Sequence, residues 1–180
     1  MLEVVTGCMF AGKTKYLITQ AERLQASGRT VIVFKPMIDT RYSDENIVSH
    51  DGYKIPAYPV NSSSDIRRLV SDEEFLSTSH AIIIDEVMLM DSDVVALINE
   101  LKDKCPLLVG GLQYDYQHEP FSIMEQILEL ARNSQTSVVT TLFAKCVRCG
   151  DEARYTYRLV EEAERIVVGG VGMYEPRCKN

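Results

Sequence analysis

The residues with the clearest chemical spacing are Gly7-Cys8-Met9-Phe10-Ala11-Gly12-Lys13-Thr14, a G-x-x-x-x-G-K-[ST] run. Glycines at positions 7 and 12 permit backbone angles that a side chain would block. Such a turn aims successive N–H groups inward as an anion nest, and the positive end of a following helix adds to it. Lys13 is placed to reach the β- and γ-phosphates of a nucleotide, and the Thr14 hydroxyl to bind Mg²⁺. Further on, Ala81-Ile82-Ile83-Ile84 ends in Asp85-Glu86. An aspartate ending a buried strand beside a phosphate loop holds the Mg²⁺ hydration shell. Successive strand residues face opposite ways, so Glu86 is expected to face another part of the cleft. There it can orient an attacking oxygen and take its proton. These residues do not say whether that oxygen belongs to water or to a substrate hydroxyl; an ATPase and a kinase look alike at this point.

The elements that must position these groups are legible from apolar periodicity. Leu2–Val5 reads as a short strand running into the glycine-rich turn. Leu17, Ile18, Ala21 and Leu24 recur at helical spacing, with Gly28 as a stop. Thr30–Phe34 is β-branched and aromatic, closed by Pro36. Residues 37–60 read as polar and irregular, with a small hairpin. Ile66, Leu69 and Val70 mark a second helix after Ser62-Ser63-Ser64. Ala81–Ile84 is a buried strand. A third helix carries Val94, Val95, Ile98 and Leu101, with Ser92 as its expected N-cap. Leu107–Val109 is a strand ended by Gly110-Gly111. Ile123, Met124, Ile127, Leu128 and Leu130 mark a fourth helix, and Val138–Leu142 a further strand. Strands alternating with helices predict an α/β fold: a P-loop NTPase-like parallel sheet with helices on both faces. The rhythm changes near Phe143. Close cysteines, alternating Tyr155 and Tyr157, and Gly169-Gly170 follow. We therefore expect a nucleotide-binding unit over residues 1–143 and a small β-rich appendage over 144–180.

Composition narrows the function classes. The chain has 180 residues, 46% hydrophobic and 25% charged, which is a globular balance, and a net charge of −7. That charge argues against nucleic acid as the main partner. No apolar run approaches the ~20 residues that cross a bilayer, so no membrane partner is expected. No export signal is visible at Met1-Leu2-Glu3, and the five cysteines are an odd count. Reduced thiols in a cytoplasm are the expectation, the host's cytoplasm where the source is viral.

Taken together, these blocks resemble the type II thymidine kinases. The phosphate loop shares that family's Met-Phe before the Ala-Gly-Lys portion. Lys35-Pro36 with Asp39-Thr40-Arg41-Tyr42 is similar to its K-x-x-x-D-x-R-[YF] segment, and Ser49-His50-Asp51-Gly52 to the stretch that follows. Asp85-Glu86-Val87-Met88-Leu89 resembles its D-E-x-Q-F, with Met88 where Gln is usual. Gly111-Leu112, Asp115-Tyr116 and Pro120-Phe121 resemble its G-L-x-x-D-F and P-F, with Tyr116 where Phe is typical. Cys146-Val147-Arg148-Cys149 and Val168-Gly169-Gly170 with Tyr174 and Cys178 resemble its zinc-ribbon-like lasso, the C-terminal domain that closes over the nucleoside.

The resemblance implies transfer of the γ-phosphoryl of ATP to the 5′-hydroxyl of thymidine, giving dTMP and ADP for DNA synthesis. It places Gly7 to Thr14 on the phosphates, and Thr14, Asp39 and Asp85 about Mg²⁺. Arg41 would stabilise charge on the transferring group. Glu86 becomes the base for the 5′-hydroxyl. Met9, Leu89, Leu112, Tyr116, Phe121 and Tyr174 would form a mostly apolar pocket for thymine. The main chain of Arg165, Ile166, Val167, Val168 and Gly169 would meet the base edge. The resemblance also implies a homotetramer inhibited by dTTP.

A structural zinc site wants four ligands, and Cys146 and Cys149 are half of one. Cys178 is the expected third. The family's fourth ligand falls three residues later, past Asn180. Three readings follow: the sequence is truncated, water or another side chain completes the site, or the metal has been lost. Two other functional classes stand beside the kinase. An ATPase or motor module would use Glu86 to orient water, and a zinc-containing nucleic-acid adaptor would use its nucleotide for regulation.

Overall fold

The computed structural model describes all residues except 41, 42, 44, 71–79, 163 and 180. Six strands form one sheet: β1 (Leu2–Thr6), β2 (Thr30–Pro36), β5 (Tyr58–Val60), β6 (His80–Ile84), β7 (Leu107–Gly111) and β8 (Val138–Thr141). Their order is β5-β2-β6-β7-β1-β8 and every pairing is parallel. A parallel sheet must bury both faces, so its strands read as continuous apolar runs. The side chains divide accordingly. Val4, Phe34, Ile82, Ile84, Leu107 and Val109 join one apolar cluster, while Val5, Val33, Ile83 and Leu108 join another.

Helix α1 (Lys13–Ala26) covers the second cluster with Leu17, Ile18 and Ala21. The opposite face carries α2 (Ser63–Val70), α3 (Val94–Leu101) and α4 (Ser122–Arg132), through Ile66, Leu97, Ile98, Met124 and Ile127 among others. Helices on both faces are thus observed. A hairpin of β3 (Asn46–Val48) and β4 (Lys54–Pro56) packs Ile47 beside α1, and Lys15 of that helix meets Asp51 in the hairpin turn at 2.6 Å.

Three local expectations are corrected, two of them outside the central strands. The segment over residues 37–60 contains the hairpin, but Tyr58–Val60 also forms the edge strand of the sheet. Three residues around a proline carry too little periodicity to announce a strand. Asp93, rather than Ser92, is the N-cap of α3, without a side-chain cap bond. The carboxylate of Asp91 does the local work, accepting the Asp93 N–H at 3.1 Å and the Ser63 N–H and hydroxyl at 2.6 Å each.

After β8 come two antiparallel ribbons. One pairs β9 (Ala144–Lys145) with β10 (Glu152–Ala153), the other β11 (Tyr155–Arg158) with β12 (Tyr174–Arg177). Their small core joins Cys146 and Ala153 to Cys8 of the phosphate loop.

The carboxyl ends of β1, β2, β6 and β7 point to one edge of the sheet, where ligands of open parallel sheets bind. Gly110 and Gly111 belong to β7 and are buried, whereas the sequence had them end the strand. A Cβ on Gly110 would lie 2.7 Å from a Leu17 methyl and 3.2 Å from Asp85 Oδ1. Gly110→Val therefore overfills the α1–sheet contact, at a cost of about 1–3 kcal/mol. Thermal unfolding should show a Tm lowered by roughly 3–10 °C, on the scaling for a chain of this size; an unchanged Tm would contradict this packing account.

Candidate active site

The phosphate loop connects β1 to α1. Gly7 has φ +144° and its absent Cβ would sit 2.2 Å from the Leu142 carbonyl oxygen, a distance no side chain tolerates. Gly12, the N-cap of α1, has φ +87°. Phe10 also adopts a positive φ, +64°, which nothing in its residue type announced. Lys13 is buried, and its Nζ donates to the carbonyls of Gly7 and Cys8 at 3.2 and 2.8 Å. Its ammonium is thus held inside the turn. The Thr14 hydroxyl donates to Asp85 Oδ2 at 2.9 Å, and Asp85 Oδ1 accepts the Glu86 N–H at 3.0 Å. Gly12, Lys13, Thr14, Asp39, Asp85 and Glu86 line one cleft of about 210 Å³.

Glu86 is buried in that cleft, but strand alternation is not the reason it points there. β6 stops at Ile84, and Glu86 takes φ 49°, ψ 41° ahead of a 3₁₀ turn at Val87–Leu89. The left-handed kink, uncommon for a residue with a Cβ, sets the direction of its carboxylate. Lys35, quoted in the sequence pattern without a role, is buried at the same cleft and donates to the carbonyls of Ser43 and Asn46 at 2.5 and 3.3 Å. Arg41 lies outside the described residues.

A second cavity adjoins the first. It brings together Met9, Leu89, Leu112, Tyr116, Phe121, Tyr174 and the run Arg165 to Gly169, so every residue that the resemblance assigned to the nucleoside lines one space. Met9 lines both cavities. Five lining residues were missed: Met88, Tyr114, Asp115, Thr156 and Arg158. Tyr155 and Tyr157 were the visible alternation in β11, yet Thr156 and Arg158 are the buried positions and Tyr157 is 49% exposed. Hydrogen bonding explains why these polar positions are the buried ones. Thr156 Oγ1 accepts the Met9 N–H at 3.0 Å. Arg158 donates to the carbonyls of Glu162, Glu164 and Arg165 at 3.3, 2.7 and 2.7 Å, and its guanidinium lies 3.7 Å from the Tyr116 ring centroid. Buried polar groups are tolerated when their bonds are made.

Cys146, Cys149 and Cys178 place their sulfurs within 4.8 Å of one another, with Cys149 and Cys178 at 3.4 Å. The Cys146 thiol is held down to about 6 by the N–H groups of Cys178 and Cys149, which favour its thiolate. At Cys149 the Asp151 N–H acts in the same direction, but the neighbouring Cys178 and Cys146 sulfurs outweigh it and push the thiol up to about 12. Compact sulfurs ringed by N–H donors are a donor set able to bind a metal ion. Burial raises the thiols of Cys8 and Cys105, as expected for structural cysteines.

Comparison with known proteins agrees with the geometry. A family model described as thymidine kinase matches residues 1–180. The thymidine kinase of Mycoplasma mycoides subsp. mycoides SC is 38% identical over 186 residues, spanning 99% of this chain and 87% of that protein. That of Mycoplasma capricolum subsp. capricolum is 38% identical over 185 residues, spanning 99% and 86%.

The Gly7 contact gives a direct check of the phosphate loop. Gly7→Ala forces the turn away from Leu142, so nucleotide binding followed by calorimetry should weaken by at least about tenfold, the equivalent of 1.4 kcal/mol. Binding at the wild-type affinity would show that the loop tolerates the shift.

Proposed function

The chain belongs to the thymidine kinase family and transfers a phosphoryl group from ATP to the 5′-hydroxyl of thymidine; from that premise we propose how its residues divide the work. The loop amides of Gly7 to Thr14, with Lys13, grip the triphosphate. Thr14, Asp39 and Asp85 hold Mg²⁺. The hydroxyl–carboxylate pair of Thr14 and Asp85, with Asp39 in the same cleft, is an all-oxygen donor set that suits this ion. Mg²⁺ bound there supplies positive charge to the phosphate oxygens. Arg41 adds a guanidinium to the transferring group.

Thymidine occupies the second cavity. Its base lies among Met9, Leu89, Leu112, Tyr116, Phe121 and Tyr174, with its polar edge toward the main chain of 165–169. Glu86 receives the 5′-hydroxyl proton. A proton that leaves late in the transfer does not require a strong base, so a carboxylate suffices. The observation that carries this reading is one short turn: Glu86 lines the phosphate cleft, and Met88 and Leu89, two and three residues on, line the apolar cavity. A hydrolase orienting water has no use for that cavity.

The finer readings follow from the same family resemblance. Cys146, Cys149 and Cys178 bind a structural Zn²⁺, which three close sulfurs support. Residues 1–143 and 144–180 act as two domains, the second closing over the nucleoside and excluding water from the transfer. The enzyme works as a cytoplasmic homotetramer inhibited by dTTP. No helix among the described residues is long and apolar enough to cross a membrane.

Two measurements test these assignments. Glu86→Gln keeps the shape and removes the base, so ATP binding should persist while thymidine phosphorylation falls by about 10²–10⁴-fold, the usual contribution of a positioned base; near-normal turnover would refute the role. Metal analysis of the purified protein should return one Zn²⁺ per chain, lost in Cys146→Ser; a metal-free wild-type protein with full activity would reject the zinc site.

A further inference from the structure

Arg165 to Gly169 line the second cavity, and the described residues of this stretch and of the approach to it are pinned at three places. Arg158 holds the carbonyls of residues 162, 164 and 165. The Tyr174 hydroxyl donates to the Val167 carbonyl at 2.8 Å. Both anchors lie in the same C-terminal part of the chain as the segment itself, and Arg158, stacked 3.7 Å from the Tyr116 ring centroid, also touches the opposite lip. The third anchor differs. Arg165 Nε donates to Asp115 Oδ2 at 2.6 Å, and its Nη2 donates to the Pro120 carbonyl at 3.1 Å. Among the described residues, these are the hydrogen bonds that carry the segment across the cavity to the loop between β7 and α4.

Asp115 is built for this contact. Its side chain is 2% exposed, against 51% for Arg165. Its other oxygen, Oδ1, accepts the N–H groups of Gln117 and Glu119 at 2.8 and 2.9 Å. One carboxylate therefore folds the loop with one oxygen and offers the second to the opposite lip. The space between the lips is about 50 Å³, well under the ~300 Å³ at which ligand pockets usually begin. Room for a nucleoside is gained by moving the two lips apart, and parting them breaks the Arg165–Asp115 pair.

We propose that Arg165 and Asp115 form a latch across the nucleoside cavity, which sets thymidine affinity by holding the 165–169 main chain against the base. Arg165 is thus a positioning residue acting through its own backbone segment, and its guanidinium does not touch the base. The proposal rests on the assignment of this cavity to thymidine.

Steady-state kinetics of the full-length enzyme, varying thymidine and ATP separately, test it. Arg165→Met should raise KM for thymidine roughly three- to tenfold, a range that discounts the ion pair for its half-exposed arginine. The KM for ATP should stay within twofold, and kcat should fall by less than KM rises. Arg165→Lys should recover part of the loss, since an ammonium keeps the charge but not the fork that also reaches Pro120. Asp115→Asn combined with Arg165→Met should be no worse than the poorer single variant, because the two changes remove one interaction. Stopped-flow release of thymidine should be faster in Arg165→Met. Asp115 also orders its loop, so the arginine variants decide the matter if Asp115→Asn folds poorly. An unchanged thymidine KM and release rate in Arg165→Met overturns the latch while leaving the kinase assignment standing. Equal rises in the KM values for thymidine and ATP mean a general loosening and overturn it too. A wild-type enzyme that does not transfer phosphate to thymidine overturns the cavity assignment, and the latch with it.

Discussion

The Asp85 carboxylate is the junction from which the rest of the site is laid out. Its side chain is buried and both oxygens are committed, Oδ2 to the Thr14 hydroxyl and Oδ1 to the Glu86 N–H. Its own N–H donates to the Phe34 carbonyl in β2. A buried carboxylate is costly unless such bonds are made, so its position leaves little freedom to its neighbours. One contact fixes where α1 begins relative to β6, and so where the Lys13 ammonium sits. Another turns the chain out of the strand at Glu86. The space Asp85 needs is left by Gly110, where a Cβ would press on both Oδ1 and Leu17.

From that junction the chain separates two kinds of binding. On one side lie Lys13, Lys35, Asp39, Asp85 and Glu86, a polar cleft suited to charged oxygens. On the other, past the 3₁₀ turn, methionine, leucine and aromatic side chains enclose a mostly apolar space. Met9 stands between them, and its N–H is tied to Thr156 in β11. The phosphate loop is therefore braced from its C-terminal neighbour as well as by its own sheet. A phosphoryl donor and a flat acceptor need opposite surroundings within a few ångströms, and a short turn after a strand is an economical way to place both.

The sequence was most informative where a residue type is compelled. Gly7 and Gly12 take the positive φ that their type permits, Lys13 lies inside the turn they form, and the Thr14 hydroxyl meets the Asp85 carboxylate. The parallel sheet was legible because burial on both faces makes unbroken apolar runs such as Ala81 to Ile84. Legibility failed where the backbone rather than the residue type carries the information. The left-handed Glu86 and Phe10 have no sequence signature, and β5 is too short to show a period. The sequence was silent in β11, where Thr156 and Arg158 carried no assignment yet are the buried positions. Pattern reading assumes that apolar residues go inward, but Arg158 is inward because its two terminal nitrogens donate to three carbonyls of the loop that follows. The ring of residues about the second cavity was reached through the family resemblance; spacing alone gives no reason for Leu89, Leu112 and Tyr174 to meet.

The cysteine cluster bears on the phosphate loop through packing rather than through chemistry. Cys146 and Ala153 share a small core with Cys8, and the Cys8 thiol donates to the Ala153 carbonyl at 3.3 Å. Cys8 directly follows Gly7, whose turn passes under the Leu142 carbonyl at the end of β8. The wall behind the glycine-rich loop is therefore made jointly by β8, the cysteine turn and the ribbon of β9 and β10. Two-residue strands have almost no stability of their own. Something must hold this ribbon closed, and three sulfurs at ligating distance are placed to do so. A cross-link there would act on the glycine-rich loop through a single layer of side chains, by way of Cys8.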